Sequence, residues 1–274
     1  MRFRTLRPGR TIRPLPWQTE VHVRLTVLGS GTAQPQPDSP ASGLLLRDGD
    51  DALLLDCGSG AVSRLQAHLD PRELSAVIFG HFHGDHFLDL VPLRYLFPWA
   101  GPVPRHLPVH VPPGGRPRID ALATAISERA GFFDDAFDVC EFDPDGDLRV
   151  GGLRLAFRRA RHYVPAWSLS VTDESGHRLV YLGDTGPSDA LVEFAAGADL
   201  MILESTLASA DEDDVERGHL TPTEAIAMAR AARARRAWLV HYPSARRAEI
   251  AEACAADGDL VRPAQPGDEI EIGD

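Results

Sequence analysis

Hydrophobic and polar positions fall into regular order at Val21. Residues 21–28 alternate one by one, the period of a strand with one buried face, and the pattern stops at Gly29-Ser30-Gly31-Thr32. A glycine-rich turn after a first strand suits a dinucleotide fold, but G-x-G-x-x-G needs glycine at position 34, where Gln34 stands, so that motif is absent. Residues 44–47 and 52–55 predict a hairpin across Asp48-Gly49-Asp50-Asp51. Further apolar runs cover 76–79, 109–111, 153–157, 169–171, 179–182, 200–203 and 237–240, with helical patterns over 61–69, 85–97, 119–130, 189–196, 222–234 and 247–255. The best-marked helix start is Thr221-Pro222-Thr223-Glu224, with threonine as cap, proline at the first helical position and Glu224 completing a capping box. Strands alternating with helices predict a layered α/β domain whose sheet faces are covered.

Length and composition narrow this picture. The 274 residues are 43% hydrophobic and 25% charged, ordinary for a globular chain with a sizeable core. No apolar run approaches the ~18 residues of a membrane-spanning helix, so no membrane partner is expected. The net charge of −12 repels a long polyanion unless a basic patch offsets it. All 28 basic residues are arginine, which reads as compositional drift. Three distant cysteines, Cys57, Cys140 and Cys254, give neither a disulfide framework nor a CxxC knot, and point to a reducing cytoplasm. Residues 1–20 hold five arginines against Glu20, with Pro8, Pro14 and Pro16 and no apolar segment behind them. They read as a loosely ordered basic extension, not a secretory signal. No linker divides residues 21–274, which read as one domain.

The chemistry concentrates in histidine. His81-Phe82-His83-Gly84-Asp85-His86 sets three imidazoles and a carboxylate within six positions, directly after an apolar run. These are ligand types for zinc, manganese or iron(II), and Gly84 lets the loop fold around a cation. Two metals fit better than one, because His81 and His83 alternate toward one side while Asp85 and His86 lie past the glycine. Asp184, Glu204 and His241 each end an apolar run, and His162 follows another by a few residues. In open α/β sheets ligands bind beyond the carboxyl ends of strands, where these residues fall.

This set resembles the metallo-β-lactamase-fold hydrolases: His81-x-His83-x-Asp85-His86, His162, Gly183-Asp184-Thr185 and His241. The resemblance runs from about residue 21 to the C-terminus. Within the superfamily it is to the phosphodiesterase branch that includes ribonuclease Z, supported by residues 28–32, Leu55-Asp56-Cys57-Gly58-Ser59-Gly60, Glu204-Ser205-Thr206 and Gly218-His219-Leu220-Thr221. It implies a four-layer αββα sandwich with metals at one edge between the sheets. It also implies His81, His83 and His162 around a first divalent cation, Asp85, His86 and His241 around a second, and Asp184 bridging them. Zinc is the expected ion and manganese the alternative. His219 matches the branch's proton donor, with Glu204 and Asp85 orienting or tuning it, and Asp56 matches a buried structural aspartate. The implied reaction is hydrolysis by a metal-activated hydroxide, with the leaving oxygen protonated by an imidazole that titrates near neutrality.

One departure bears on the substrate. Ribonuclease Z inserts a long tRNA-gripping arm between the positions matching His162 and Asp184, and here the interval is 22 positions, room for a strand hairpin. Arg158-Arg159-Ala160-Arg161 is the one internal basic cluster and reads equally as a solvated strand end. The expected substrate is therefore a small or cyclic nucleotide phosphodiester. The alternatives are tRNA 3′-end cleavage and a lactone, thioester or β-lactam hydrolase with the same ligands. A homodimer is compatible with the branch. Asp211-Glu212-Asp213-Asp214 reads as a solvated loop, and Phe97-Pro98-Trp99 and Phe132-Phe133 as core. His22, His68, His106, His110 and His177 read as surface or packing residues. Cys57 is expected to be neither ligand nor nucleophile.

Overall fold

A computed structural model of the protein describes residues 23–97, 106–129, 131–213 and 217–273. The basic extension, Val21, His22, Pro98, Trp99, Ala130 and Asp214 lie outside them. The strands in chain order are β1 Val23–Gly29, β2 Gly43–Asp48, β3 Asp51–Leu55, β4 Ala76–Ile78, β5 Leu107–Val111, β6 Phe137–Glu141, β7 Leu148–Val150, β8 Leu153–Arg159, β9 Trp167–Thr172, β10 Arg178–Tyr181, β11 Leu200–Glu204, β12 Arg236–Val240, β13 Val261–Pro263 and β14 Glu269–Ile272. The helices are α1 Ala61–Leu65, α2 Gly84–Phe87, α3 Leu90–Arg94, α4 Arg116–Ser127, α5 Asp189–Phe194, α6 Pro222–Ala231 and α7 Arg247–Cys254.

Two sheets result, in the orders β14-β1-β2-β3-β4-β5-β6 and β13-β12-β11-β10-β9-β8-β7. Strand alternation determines what each face covers. Leu44, Leu46, Leu53, Leu55 and Ile78 of the first sheet join Leu155, Leu169, Leu179, Ile202 and Val240 of the second in one buried core. Their neighbours Leu45, Leu54 and Val77 turn the other way and bury with Val62, Leu65, Leu93 and Ile119. On the far side Val180, Met201 and Leu239 bury with Leu191, Ile226 and Ile250. Helix, sheet, sheet, helix is the αββα sandwich that the sequence implied.

The hairpin of β2 and β3 pairs in register around Asp48↔Asp51, and β9 and β10 form the hairpin expected between His162 and Asp184. The Thr221 capping box is present in full. The helix expected over 85–97 is two pieces, α2 and α3. Pro92 cannot donate to the carbonyl of residue 88 and its ring crowds that carbonyl, while the Asp89 carboxylate between the pieces accepts from Gly60 N at 2.9 Å and Val62 N at 3.0 Å, closing the start of α1. Beyond Leu65 the helix expected over 61–69 loosens into turns. Four strands had no apolar run to announce them: β6, β7, β13 and β14, all at or beside sheet edges. Such strands face less core and tolerate polar residues and proline.

Candidate metal centre

The site gathers at one edge of the sandwich because parallel strands end there together. β3 pairs parallel with β4, and β10, β11 and β12 run parallel to one another. Asp56 follows β3, the His81–His86 loop follows β4, and Asp184, Glu204 and His241 follow or end β10, β11 and β12. Asp56 and His241 hold left-handed backbone (φ 59° and 52°). Non-glycine residues adopt it at a cost that the surroundings offset, commonly at functional sites. The loop docks on residue 58, where a Cβ would stand 1.9 Å from the Asp85 carbonyl oxygen, so only glycine fits.

All seven residues expected as ligands converge. Ligand atoms of His81, His83, His162 and Asp184 lie within 4.8 Å of one another, and those of Asp85, His86 and His241 form a second such group. Asp184 stands between them. Its Oδ2 lies 3.7 Å from His81 Nε2, 3.4 Å from His86 Nε2 and 3.9 Å from His162 Nε2, and its Oδ1 lies 3.6 Å from His241 Nδ1. His162 Nε2 faces His83 Nδ1 at 3.0 Å, and His241 Nε2 faces Asp85 Oδ2 at 3.0 Å.

The donor set fits divalent cations. The Nε2 atoms of His81 and His86 and Oδ1 of Asp184 are buried without a hydrogen-bond partner, a costly arrangement unless something else satisfies them. Burial holds His81 well below the usual imidazole range, lowers His83, and brings His162 down to about 4. Neutral imidazoles have the lone pairs that a metal needs. Burial pushes Asp85 up, but its hydrogen bond to His241 and the His86 charge outweigh this and bring it down to about 2. Asp184 is held well below the carboxylate range against burial, chiefly by His241 and His86.

Outer contacts orient the rings. His86 Nδ1 lies 2.7 Å from Asp56 Oδ2, which also accepts from Tyr181 Oη at 2.7 Å. His162 Nδ1 donates to the Gly218 carbonyl at 2.8 Å. Thr206 Oγ1 donates to Glu204 Oε2 at 2.7 Å and lies 2.8 Å from His241 Nδ1. The same hydroxyl lies 3.0 Å from the His241 carbonyl oxygen, so Thr206 ties the ring and backbone of His241 to Glu204 while Nε2 faces Asp85. Such partners fix the tautomer of a ligating histidine.

His219 sits at the rim, its Nδ1 2.7 Å from Glu204 Oε1 and 4.0 Å from Asp184 Oδ2. Glu204 is itself buried and accepts from Thr185 N at 3.0 Å. Burial opposes a charge on His219, but the Glu204 hydrogen bond and charge outweigh it and raise the imidazole to about 9. Asp85, expected to share in tuning His219, has His241 and His86 beside it. Asp213 departs from a solvated loop: its carboxylate is largely covered, accepting from Gly218 N at 2.8 Å and from Tyr163 Oη. Phe97, Phe132 and Phe133 are core as expected, and Cys57 is buried with its thiol pKa raised by burial. Sequence reasoning gave no role to Tyr181, Thr206 or Tyr163. Thr206 and Tyr163 adjoin residues it singled out, whereas nothing in the sequence marks Tyr181, 125 positions from Asp56.

These features define a metallo-β-lactamase-fold hydrolase centre, and the chain belongs to that superfamily: residues 52–242 match the beta-lactamase superfamily domain. A protein of Mycobacterium leprae is 36% identical over 93% of this chain and 90% of its own. Ribonuclease Z of Myxococcus xanthus is 32% identical over 81% of this chain and 87% of its own. The crystal structure of the metallo-β-lactamase-fold protein YhfI from Bacillus subtilis superposes with a TM-score of 0.80, at 28% identity, covering 91% of this chain and 99% of that one. The protein is thus a metallo-hydrolase with ribonuclease Z among its relatives, and no helix among its described residues is long and apolar enough to cross a membrane.

Proposed function

We propose that the protein is a phosphodiesterase holding two divalent cations, zinc or manganese, and cleaving a small or cyclic nucleotide phosphodiester. The observation that carries this reading is the seven-residue cluster, four of its members buried and three half-buried, with the His219–Glu204 pair at its rim. His81, His83 and His162 would hold one cation, Asp85, His86 and His241 the other, and Asp184 both. Bound there, the ions supply an ionised water and offset charge on the phosphoryl oxygens.

The chain's own groups do the rest. Glu204 keeps His219 protonated and aimed, and His219 passes its proton to the leaving oxygen, which would otherwise depart as an unstable alkoxide. Asp56 and Thr206 hold the rings of His86 and His241, so the ligand geometry does not have to be found anew at each turnover. The ions and His219 make the cavity locally positive within an acidic molecule, because nearby ions dominate the field.

A second reading, tRNA 3′-end cleavage, is favoured by the Myxococcus xanthus relative and weakened by the short β9–β10 hairpin where an arm would stand. A thioester hydrolase leaves His219 without a clear task, because a thiolate departs without a proton, whereas a lactone's leaving alkoxide would use it and has to be separated by assay. The test is a panel of 3′,5′-cyclic AMP, bis-p-nitrophenyl phosphate, precursor tRNA and a lactone, run on protein loaded separately with zinc and manganese. Turnover of the small diesters is expected. Strong activity on tRNA alone, or on the lactone alone, overturns the proposal.

A further inference from the structure

Four large apolar side chains stay exposed among the described residues: Leu88, Tyr95, Ile126 and Tyr163. Of these, Tyr163 lines the cavity of about 500 Å³ that also holds His83, Asp184, His219 and His241. Its ring centroid lies 5.0 Å from that of His162 and 5.5 Å from that of His219, so it walls the space where a group joined to the phosphoryl must lie. It is 51% exposed, which removes a core-packing reason for its size.

The ring is also held in place. Tyr163 Oη donates to Asp213, whose other oxygen accepts from Gly218 N. A Cβ at 218 would stand 2.4 Å from the ring, so glycine there lets the ring settle against the His219 loop. With its hydroxyl committed, Tyr163 offers a ligand an aromatic face. A neighbouring cavity of about 330 Å³ shares Thr32, Gln34 and Asp85 with the first, and no arginine among the described residues lines either.

From these contacts we infer that Tyr163 is the platform on which a planar base stacks, selecting diesters with an attached nucleoside over ring-free esters. The inference rests on the phosphodiesterase reading and supplies its specificity. Aromatic stacking on a base is sequence-tolerant and loses about five- to a hundredfold in binding on truncation to alanine.

The experiment measures kcat and KM of the metal-loaded protein for 3′,5′-cyclic AMP and for glycerophosphoglycerol, a diester without a ring. Tyr163→Ala, Tyr163→Phe and Tyr163→Trp are compared, with saturation-transfer NMR on the adenine protons of a cyclic phosphorothioate analogue. Tyr163→Ala should raise KM for the cyclic nucleotide about five- to a hundredfold, change kcat little, leave glycerophosphoglycerol unaffected and abolish adenine saturation. Tyr163→Phe and Tyr163→Trp should restore KM. An equal KM rise for both diesters, failure of Tyr163→Trp to rescue, or a defect confined to precursor tRNA overturns the inference. If no diester is hydrolysed at all, the phosphodiesterase reading fails, and adenine saturation still decides the role of Tyr163: retained in Tyr163→Ala, it overturns the stacking assignment.

Discussion

Carboxylates crowd at both ends of β3, with opposite consequences. At its start, Asp48 and Asp51 line a cavity with Asp173 and Glu174. At its far end, Asp56, Asp85 and Asp184 meet the histidines. Asp48 is raised above the ordinary carboxylate range by burial and then by the charges of Asp173, Asp51 and Glu174, whereas Asp85 is lowered to about 2 despite deeper burial. The difference lies in the partners. Asp85 has the His241 hydrogen bond and the His86 charge beside it, whereas Asp48 faces Asp173, Asp51 and Glu174, and the imidazole at that end, His177, is paired with Asp173. Glu204 adds a third case, a buried acid satisfied by backbone and hydroxyl donors and spent on holding His219.

The comparison breaks most visibly at Asp184. Asp184→Asn removes the charge between both ligand groups while keeping the volume. On the proposed two-cation reading, metal content measured by elemental analysis after reconstitution should fall from about two equivalents to below one, and hydrolysis should drop more than the ~10–100-fold expected for supporting residues. Two retained equivalents would show that Asp184 is not shared.

Next in size is the rim. His219→Ala should lower turnover by about 10²–10⁴-fold with metal content preserved, if His219 serves proton transfer as proposed. As an acid, His219 works while protonated, so the rate should fall as pH rises through its pKa. Glu204 raises that pKa to about 9, and a nearby cation lowers it. Glu204→Gln removes the raising charge, so the alkaline limb should move to lower pH. An unmoved limb in the rate profile would detach Glu204 from His219.

Thr206→Val tests the outer contacts alone. It keeps the shape and deletes the hydroxyl between Glu204 and His241. A loss of about 10–100-fold in metal affinity is expected, read by competition with a chromophoric chelator. Affinity equal to that of the unmodified protein would mean that the backbone at His241 suffices to aim its ring.

How much of this was legible in the sequence follows from how each part is encoded. The His81–His86 loop is written contiguously, and Asp184, Glu204 and His241 each close an apolar run, so the residues that cluster at the sandwich edge could be singled out from strand ends and from the family resemblance. The outer contacts could not. Tyr181 reaches Asp56 only because β10 lies across from β3 in the opposite sheet, and no periodicity encodes which side chains face each other across a core. The edge strands β6, β7, β13 and β14 were hidden for a related reason, since pairing with a neighbour holds them more than their own apolar content does. The break between α2 and α3 was in principle readable from Pro92.

The smallest effect belongs to the acidic end, and its sign separates repulsion from use. A carboxylate whose pKa is raised in the folded state destabilises the fold when ionised and does so less as pH falls through that range. Asp48→Asn should therefore raise stability slightly at pH 7, by about a few tenths of a kcal/mol measured by thermal unfolding, because the group is only half-buried and water still screens its interactions. The gain should disappear below the carboxylate range, where the aspartate is protonated in both states. Turnover and metal content should stay unchanged. A stability loss at pH 7 would mean that the acids at the start of β3 hold something by their charge, and the contrast between the two ends of that strand would vanish.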